Sequence, residues 1–199
     1  MMMSLMKRTL LFFFIISYVG RFDANAQSYN ERYLKFVRDV KDSSLSLPEL
    51  ADKMSVYLKG SIVPDFVAET LEGKQIQSKD LRGRVVVLYF WNTKCKPCIK
   101  QMPELQEQQM KHANSNVVFI SLFSEDNGAV KRFLKGKSID FTVIPNSEHI
   151  AIKEFKLPAL FPYTIIINQE GKIIDMWFGT RKKKENIDEL ILNSVNEGT

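Results

Sequence analysis

The sequence predicts an α/β fold in which a mixed β-sheet carries helices on both faces. Two unbroken apolar runs, residues 85–91 and 117–123, are typical of strands buried on both faces of a sheet. Two later segments, residues 163–167 and 173–178, flank the polar turn 168–172 and indicate a β-hairpin. A strand, a helix and a strand, followed by a hairpin and a terminal helix, predict a mixed sheet.

Shorter elements are expected around these strands. Residues 99–111, 129–134 and 186–195 are predicted to be helical from their apolar spacing and flanking residues. Two short strands are expected at residues 66–68 and 74–77, on either side of a Glu-Gly turn. Because helices alternate with strands along the chain, both faces of the sheet should be covered.

The composition excludes several classes of protein. The chain has 199 residues, 45% apolar and 26% charged, as is usual for a globular protein. Its net charge of +5 is too small and too dispersed to indicate a nucleic-acid partner. The sequence has no glycine-rich phosphate-binding loop, so no nucleotide is expected, and no other cofactor is implied. Two cysteines are too few for a disulfide-stapled scaffold or an all-cysteine zinc site.

Residues 1–26 have the features of a signal peptide. Lys7 and Arg8 precede an apolar run at residues 9–19, and small residues end the segment at Ala26. The run is shorter than the roughly 17–25 apolar residues that span a bilayer. We therefore expect cleavage after Ala26 and export to a periplasm. The alternative is an uncleaved N-terminus that anchors the protein in the membrane, with the domain facing the periplasm.

Two further segments follow. Residues 27–60 are charged and weakly periodic, which predicts one or two helices in an extension outside the main domain or packed on its side. Residues 61–199 contain the predicted strands and form the α/β domain.

The predicted chemistry lies in the segment Cys95-Lys96-Pro97-Cys98, which follows the strand at 85–91 and opens a helix. A helix N-terminus carries about half a positive charge and stabilises a thiolate, so the pKa of the first cysteine should fall below about 8.5. That thiolate can attack a disulfide, and the second cysteine, one helical turn later, can resolve the mixed disulfide. Pro97 lacks an N–H group and suits the first helical turn.

Other roles for the two cysteines are less well supported. A structural disulfide that closes over two residues removes little entropy from the unfolded chain. A metal site needs further ligands, and neither His112 nor His149 has a recognisable ligand spacing, so no metal is expected. A peroxidase would need a Pro-x-x-x-Thr-x-x-Cys arrangement, and Thr93 lies only two residues before Cys95.

The segment FWNTKCKPCIKQMPEL, residues 90–105, resembles the active-site segment of exported thioredoxin-like thiol-disulfide oxidoreductases of the TlpA/ResA-like group. Members of that group typically have an F-W-x-x-W-C-x-P-C-x-x-E-x-P pattern. The resemblance extends over residues 61–197 and implies a thioredoxin-like fold. Further similar segments lie at residues 64–66, 71–74, 80–83 and 161–164.

The resemblance also implies roles for individual residues. It makes Cys95 the nucleophile and Cys98 the resolving thiol of a redox-active disulfide. It places Trp91 beside the pair, and it implies a cis peptide bond between Phe161 and Pro162 that faces the disulfide.

The chain departs from the family pattern around the cysteines. Lys94 replaces the usual tryptophan, and Gln101 stands where the ResA-like branch has glutamate. Tyr89 stands where thioredoxin has a buried aspartate. Glutamine can form hydrogen bonds but cannot act as a base. Two carboxylates that could move protons near the buried thiol are therefore absent from their family positions.

Three lysines, Lys94, Lys96 and Lys100, surround the cysteines in the sequence, and no carboxylate is closer along the chain than Glu104. Cations stabilise a thiolate and so stabilise the reduced form, which makes a protein a better oxidant. We therefore expect a reduction potential above that of thioredoxin.

The favoured function is thiol-disulfide exchange with exported proteins that carry cysteines or disulfides. The resemblance implies an electron-donating partner, commonly a membrane protein in this family, and a reductive role by analogy. The alternatives are a non-catalytic thioredoxin-fold domain that binds an extended peptide, and a disulfide isomerase.

Overall fold

The computed structural model describes residues 28–41, 44–137, 139–180 and 186–196. The predicted signal peptide and its cleavage site at Ala26 lie outside these residues. Within them, no helix has both the length and the apolar character needed to cross a membrane.

The observed elements follow the predicted order. The helices are α1 (Tyr29–Asp39), α2 (Leu47–Leu58), α3 (Lys96–Lys111), α4 (Asn127–Leu134) and α5 (Ile187–Asn196). The strands are β1 (Val67–Glu69), β2 (Gln75–Gln77), β3 (Val85–Trp91), β4 (Val117–Phe123), β5 (Thr142–Ile144), β6 (Tyr163–Ile167) and β7 (Ile173–Phe178). A short 3₁₀ helix spans Ser78–Leu81, and a π-helical turn spans Ile150–Glu154.

The main sheet is mixed, as predicted. Its strand order is β5-β4-β3-β6-β7, with β3, β4 and β5 parallel to one another, and β6 antiparallel to both β3 and β7. Strands β1 and β2 form a separate two-stranded hairpin. The sequence pattern did not predict the edge strand β5, which has three residues and pairs with β4 from Ile120 to Leu122.

Apolar layers cover both faces of this sheet. On one face, alternate residues of β3 pack with α3, α4 and α5, for example Val87 with Leu105 and Ile191 in one buried cluster. On the other face, the intervening residues pack with α1, α2 and the π-helical turn. Such two-sided burial explains why every residue of β3 is apolar and buried.

The N-terminal extension packs on this second face and shares the core of the domain. Ala51, Met54 and Leu58 of α2 are almost completely buried. The backbone then joins the sheet, since the N–H of Gly60 donates to the carbonyl of Ile173 at 2.7 Å. The described residues of the extension, 28–41 and 44–60, therefore pack on the side of the domain, which is one of the two arrangements that the sequence left open.

Helix α3 begins at Lys96, three residues before the predicted start at residue 99. Pro97 occupies its first turn, where a missing N–H costs no hydrogen bond, and Cys95 is the N-cap. The helix therefore contains the second cysteine and presents the first at its positive end.

Candidate active site

The two cysteines form a disulfide at the start of α3. Their Cα atoms are 5.2 Å apart, and three positions separate them in the sequence. The backbone N–H of Cys98 donates to the Sγ of Cys95 at 3.2 Å. The sulfur of Cys95 thus caps the helix and lies where the helix dipole favours negative charge.

The two sulfurs differ in accessibility. Cys98 has no exposed surface, whereas Cys95 is half-buried. Lys94, Lys96 and Pro97 are exposed around Cys95. A substrate can therefore approach Cys95 more readily than Cys98.

Tyr89 lies beneath Cys98 in the position predicted to lack a carboxylate. Its hydroxyl donates to the carbonyl oxygen of Cys98 at 2.9 Å. Burial raises the pKa of Tyr89 well above its usual value near 10. The side chain is thus a neutral hydrogen-bond donor that holds the first turn of α3, and it does not accept a proton at physiological pH.

Gln101 is buried on the same helix, one turn beyond Cys98. It is 3% exposed, and neither its Nε2 nor its Oε1 has a hydrogen-bond partner among the described residues. Most buried polar side-chain atoms are hydrogen-bonded, so this amide is costly to bury.

Trp91 lies in the same buried cluster as Cys98. Its Nε1 donates to the Oγ of Ser121 at 2.7 Å, and its ring centroid is 4.2 Å from that of Phe123. Because Trp91 has no exposed surface, it supports the site from the core and does not line the surface that a substrate would meet.

The peptide bond between Phe161 and Pro162 is cis, as the resemblance implied. Pro162 is buried and Phe161 is half-buried. Both residues line an open groove of about 860 Å³ together with Pro97 of the redox segment. The cis-proline loop therefore shares one surface with Pro97, which lies between the two cysteines in the sequence.

Sequence reasoning missed Glu125, which follows β4. Its Oε1 accepts hydrogen bonds from the backbone N–H and the hydroxyl of Thr93, both at 2.7 Å. Its Oε2 is buried and has no partner among the described residues. Glu104 is the nearest carboxylate to the cysteines along the chain, but the Glu125 carboxylate is brought to this segment by the fold. The sequence did not reveal it, because 32 residues separate Glu125 from Thr93. The available clue was that both residues follow neighbouring parallel strands.

The segment between β3 and α3 is fixed by further short-range hydrogen bonds. The Oδ1 of Asn92 accepts from the N–H of Lys94 at 3.0 Å, and the carbonyl of Asn92 accepts from the N–H of Cys95 at 3.2 Å. Together with Glu125, these contacts preorganise the approach to Cys95.

Other groups considered from the sequence lie away from this site. His112 is buried at the end of α3, and its Nε2 is 2.9 Å from the Oδ1 of Asp188. His149 is exposed and contacts the carbonyl of Asn146. Among the residues that the structure describes, no three His, Cys, Asp or Glu side chains come together as metal ligands.

Comparison with known proteins identifies the family. The AhpC/TSA family model matches residues 60–176. The thiol-disulfide oxidoreductase ResA of a Bacillus cereus strain is 35% identical over 136 residues, which cover 68% of this chain and 78% of ResA. ResA of Bacillus subtilis is 33% identical over 123 residues, which cover 61% of this chain and 68% of that protein.

A solved structure supports the same assignment. StoA from Bacillus subtilis matches with a TM-score of 0.54 and 26% identity, covering 65% of this chain and 98% of StoA. The sequence match, the thioredoxin-like fold and the disulfide at the start of α3 agree with one another. The chain therefore belongs to the AhpC/TSA family and is a thioredoxin-like thiol-disulfide oxidoreductase of the ResA type.

Proposed function

We propose that the protein reduces disulfides in exported proteins within a periplasm, with Cys95 as the nucleophile and Cys98 as the resolving thiol. The observation that carries this proposal is the difference between the two sulfurs. Cys95 is accessible and caps the positive end of α3, while Cys98 is fully buried behind it.

The reaction proceeds through two exchanges. The Cys95 thiolate attacks one sulfur of a substrate disulfide, the substrate S–S bond breaks, and the leaving sulfur takes up a proton. Cys98 then loses its proton and attacks the Sγ of Cys95, which releases the second substrate thiol. Two electrons pass from the cysteine pair to the substrate, and the Cys95–Cys98 disulfide forms.

The direction of the reaction in the cell depends on the partner that restores the dithiol. The reductive direction requires an electron donor, and a membrane redox protein facing the periplasm is consistent with the predicted signal peptide at residues 1–26. An N-terminus that remains as an anchor would place the domain in the same compartment.

Trapping of mixed disulfides tests the assignment of the two cysteines. Cys98→Ser retains the attacking sulfur but cannot resolve the intermediate, so it should accumulate covalent adducts with a model disulfide-containing protein. Cys95→Ser should accumulate far fewer. Equal trapping by both variants would contradict the assigned roles, and a wild-type pair that cannot be cycled would favour a non-catalytic binding domain.

The reduction potential of the cysteine pair tests the proposed reductive direction of the exchange reaction. The purified protein is equilibrated with graded thiol and disulfide buffers, and the state of Cys95 and Cys98 is measured by alkylation. A potential of about −270 mV would match a thioredoxin-like reductant, and one of about −120 mV would match a strong oxidant. The second result would overturn the reductive proposal.

A further inference from the structure

The groove beside the redox site has one wall that is outside the segment matched by the family model. Asp52, Ser55, Val56 and Lys59, on α2 and at its C-terminal cap, line this wall, although the match begins at residue 60. These positions have the spacing i, i+3, i+4 and i+7, so they form one stripe along the helix. The extension therefore contributes directly to the surface around the active site.

The opposite wall is the edge strand β7. Met176, Trp177 and Phe178 line this side, and the groove continues to Pro97 and Pro162 at the redox site. Residues 175–178 span about 10 Å at roughly 3.4 Å per residue. The stripe on α2 spans about the same length at roughly 1.5 Å per residue. Each wall is therefore about as long as three to four residues of an extended chain.

The character of the walls favours an apolar occupant. Val56 is 75% exposed and lines the groove, so its apolar surface is open to a bound chain. The charges in the groove have both signs, and Lys59 and Asp175 are 4.0 Å apart across it. The charged groups therefore offset one another, whereas Val56 on one wall and the half-buried Trp177 and Phe178 on the other have apolar surface available for contact.

We propose that α2 is a substrate-selecting wall, and that the groove binds an extended apolar segment next to the reactive cysteine of the substrate protein. This inference rests on the proposed function, because the groove reaches Pro97, between the two cysteines in the sequence, and Pro162 of the cis-proline loop. It assigns residues 47–59 a part in recognition, while the cysteines supply the chemistry.

Single-turnover exchange tests the proposal with three disulfides. Two are peptides with a single cysteine in a mixed disulfide with glutathione. In the apolar peptide, leucine and phenylalanine flank the cysteine on both sides, and in the polar peptide, serine and glycine flank it. The third is glutathione disulfide, which is too small to span the groove. The readout is the rate for each peptide divided by the rate for glutathione disulfide, measured with the dithiol form of the protein.

Val56→Lys should lower the ratio for the apolar peptide about tenfold, which corresponds to losing the burial of one valine side chain. Val56→Leu should preserve it. Val37→Lys is the matched control, because Val37 is 50% exposed on α1 and does not line the groove. Its ratio should equal that of the wild type.

Two results would overturn the proposal in distinguishable ways. If the wild type exchanges with all three disulfides but Val56→Lys leaves the ratio unchanged, α2 does not select substrates and the proposed function stands. If the wild type reacts with none of them, the proposed function fails and the inference fails with it.

Discussion

Glu125 receives two hydrogen bonds from Thr93 through a single carboxylate oxygen, each 2.7 Å long. One comes from the backbone and one from the hydroxyl, so the carboxylate fixes both the main chain and the side chain of the residue two positions before Cys95. These hydrogen bonds link the segments that follow the C-terminal ends of β3 and β4, next to the disulfide.

Glu125→Ala should release the segment that precedes Cys95. The loss of two charge-assisted hydrogen bonds predicts a decrease of about 1–3 kcal/mol in the free energy of unfolding. Urea denaturation of the oxidised protein measures it. We also expect slower attack by Cys95 on glutathione disulfide, because its approach is less preorganised.

Glu125→Gln separates the contribution of the hydrogen-bond geometry from that of the negative charge on the carboxylate. The amide can still accept from Thr93 through its oxygen, so the stability loss should be smaller than for the alanine variant. An alanine variant as stable as the wild type would show that the contact does not hold the segment.

Gln101→Met should stabilise the protein. Both amide atoms of Gln101 lack partners among the described residues, and methionine has a similar shape without polar atoms to desolvate. The expected gain is about 1–2 kcal/mol in the free energy of unfolding of the oxidised form. A loss of stability instead would indicate that the amide is satisfied by bound water.

Replacing Lys94, Lys96 and Lys100 with glutamine should lower the reduction potential. The lysines favour the thiolate form of Cys95, and their exposure limits the effect to about 10–30 mV at low ionic strength. The difference from the wild type should shrink in about 1 M salt. Equilibration with thiol buffers at both salt concentrations measures it.

The matched control replaces three exposed lysines elsewhere on the surface, at Lys74, Lys79 and Lys131. It removes the same net charge, so its potential should remain near that of the wild type. Equal shifts in both triple variants would mean that overall charge, and not proximity to Cys95, sets the effect.

The link between α3 and α5 should be sensitive to acid. Asp188 accepts a hydrogen bond from Lys111 at 2.6 Å and lies 2.9 Å from His112. The hydrogen bond from Lys111 is the main cause that lowers the pKa of Asp188. A lowered folded-state pKa stabilises the protein above the unfolded-state value of about 3.9, and this contribution disappears as the pH falls through the folded-state pKa.

Asp188→Asn isolates that contribution. The wild type should be more stable than the variant at about pH 6.5, and the difference should decrease toward about pH 3. Urea unfolding at several pH values measures both proteins. A difference that stays constant across this range would show that ionisation of Asp188 does not contribute.

Local apolar runs predicted the central strands accurately. The bounds of β3, β4, β6 and β7 match the predicted residues. Strand β3 is buried on both faces and is therefore apolar throughout, and the polar turn at residues 168–172 marks the ends of β6 and β7. The sequence did not predict strand β5, because three residues are too few to show a strand periodicity. Its extended conformation depends on pairing with β4.

The sequence pattern alone predicted a mixed sheet, the order of its longer strands and the cysteine pair at the start of a helix. The resemblance to a known family added the thioredoxin-like fold and showed glutamine at position 101 in place of the family carboxylate. Two other relationships came only from the folded chain: Glu125 holds Thr93, and α2 faces β7 across the groove. Each joins residues far apart in sequence, so only the packing of the sheet and the extension brings them together.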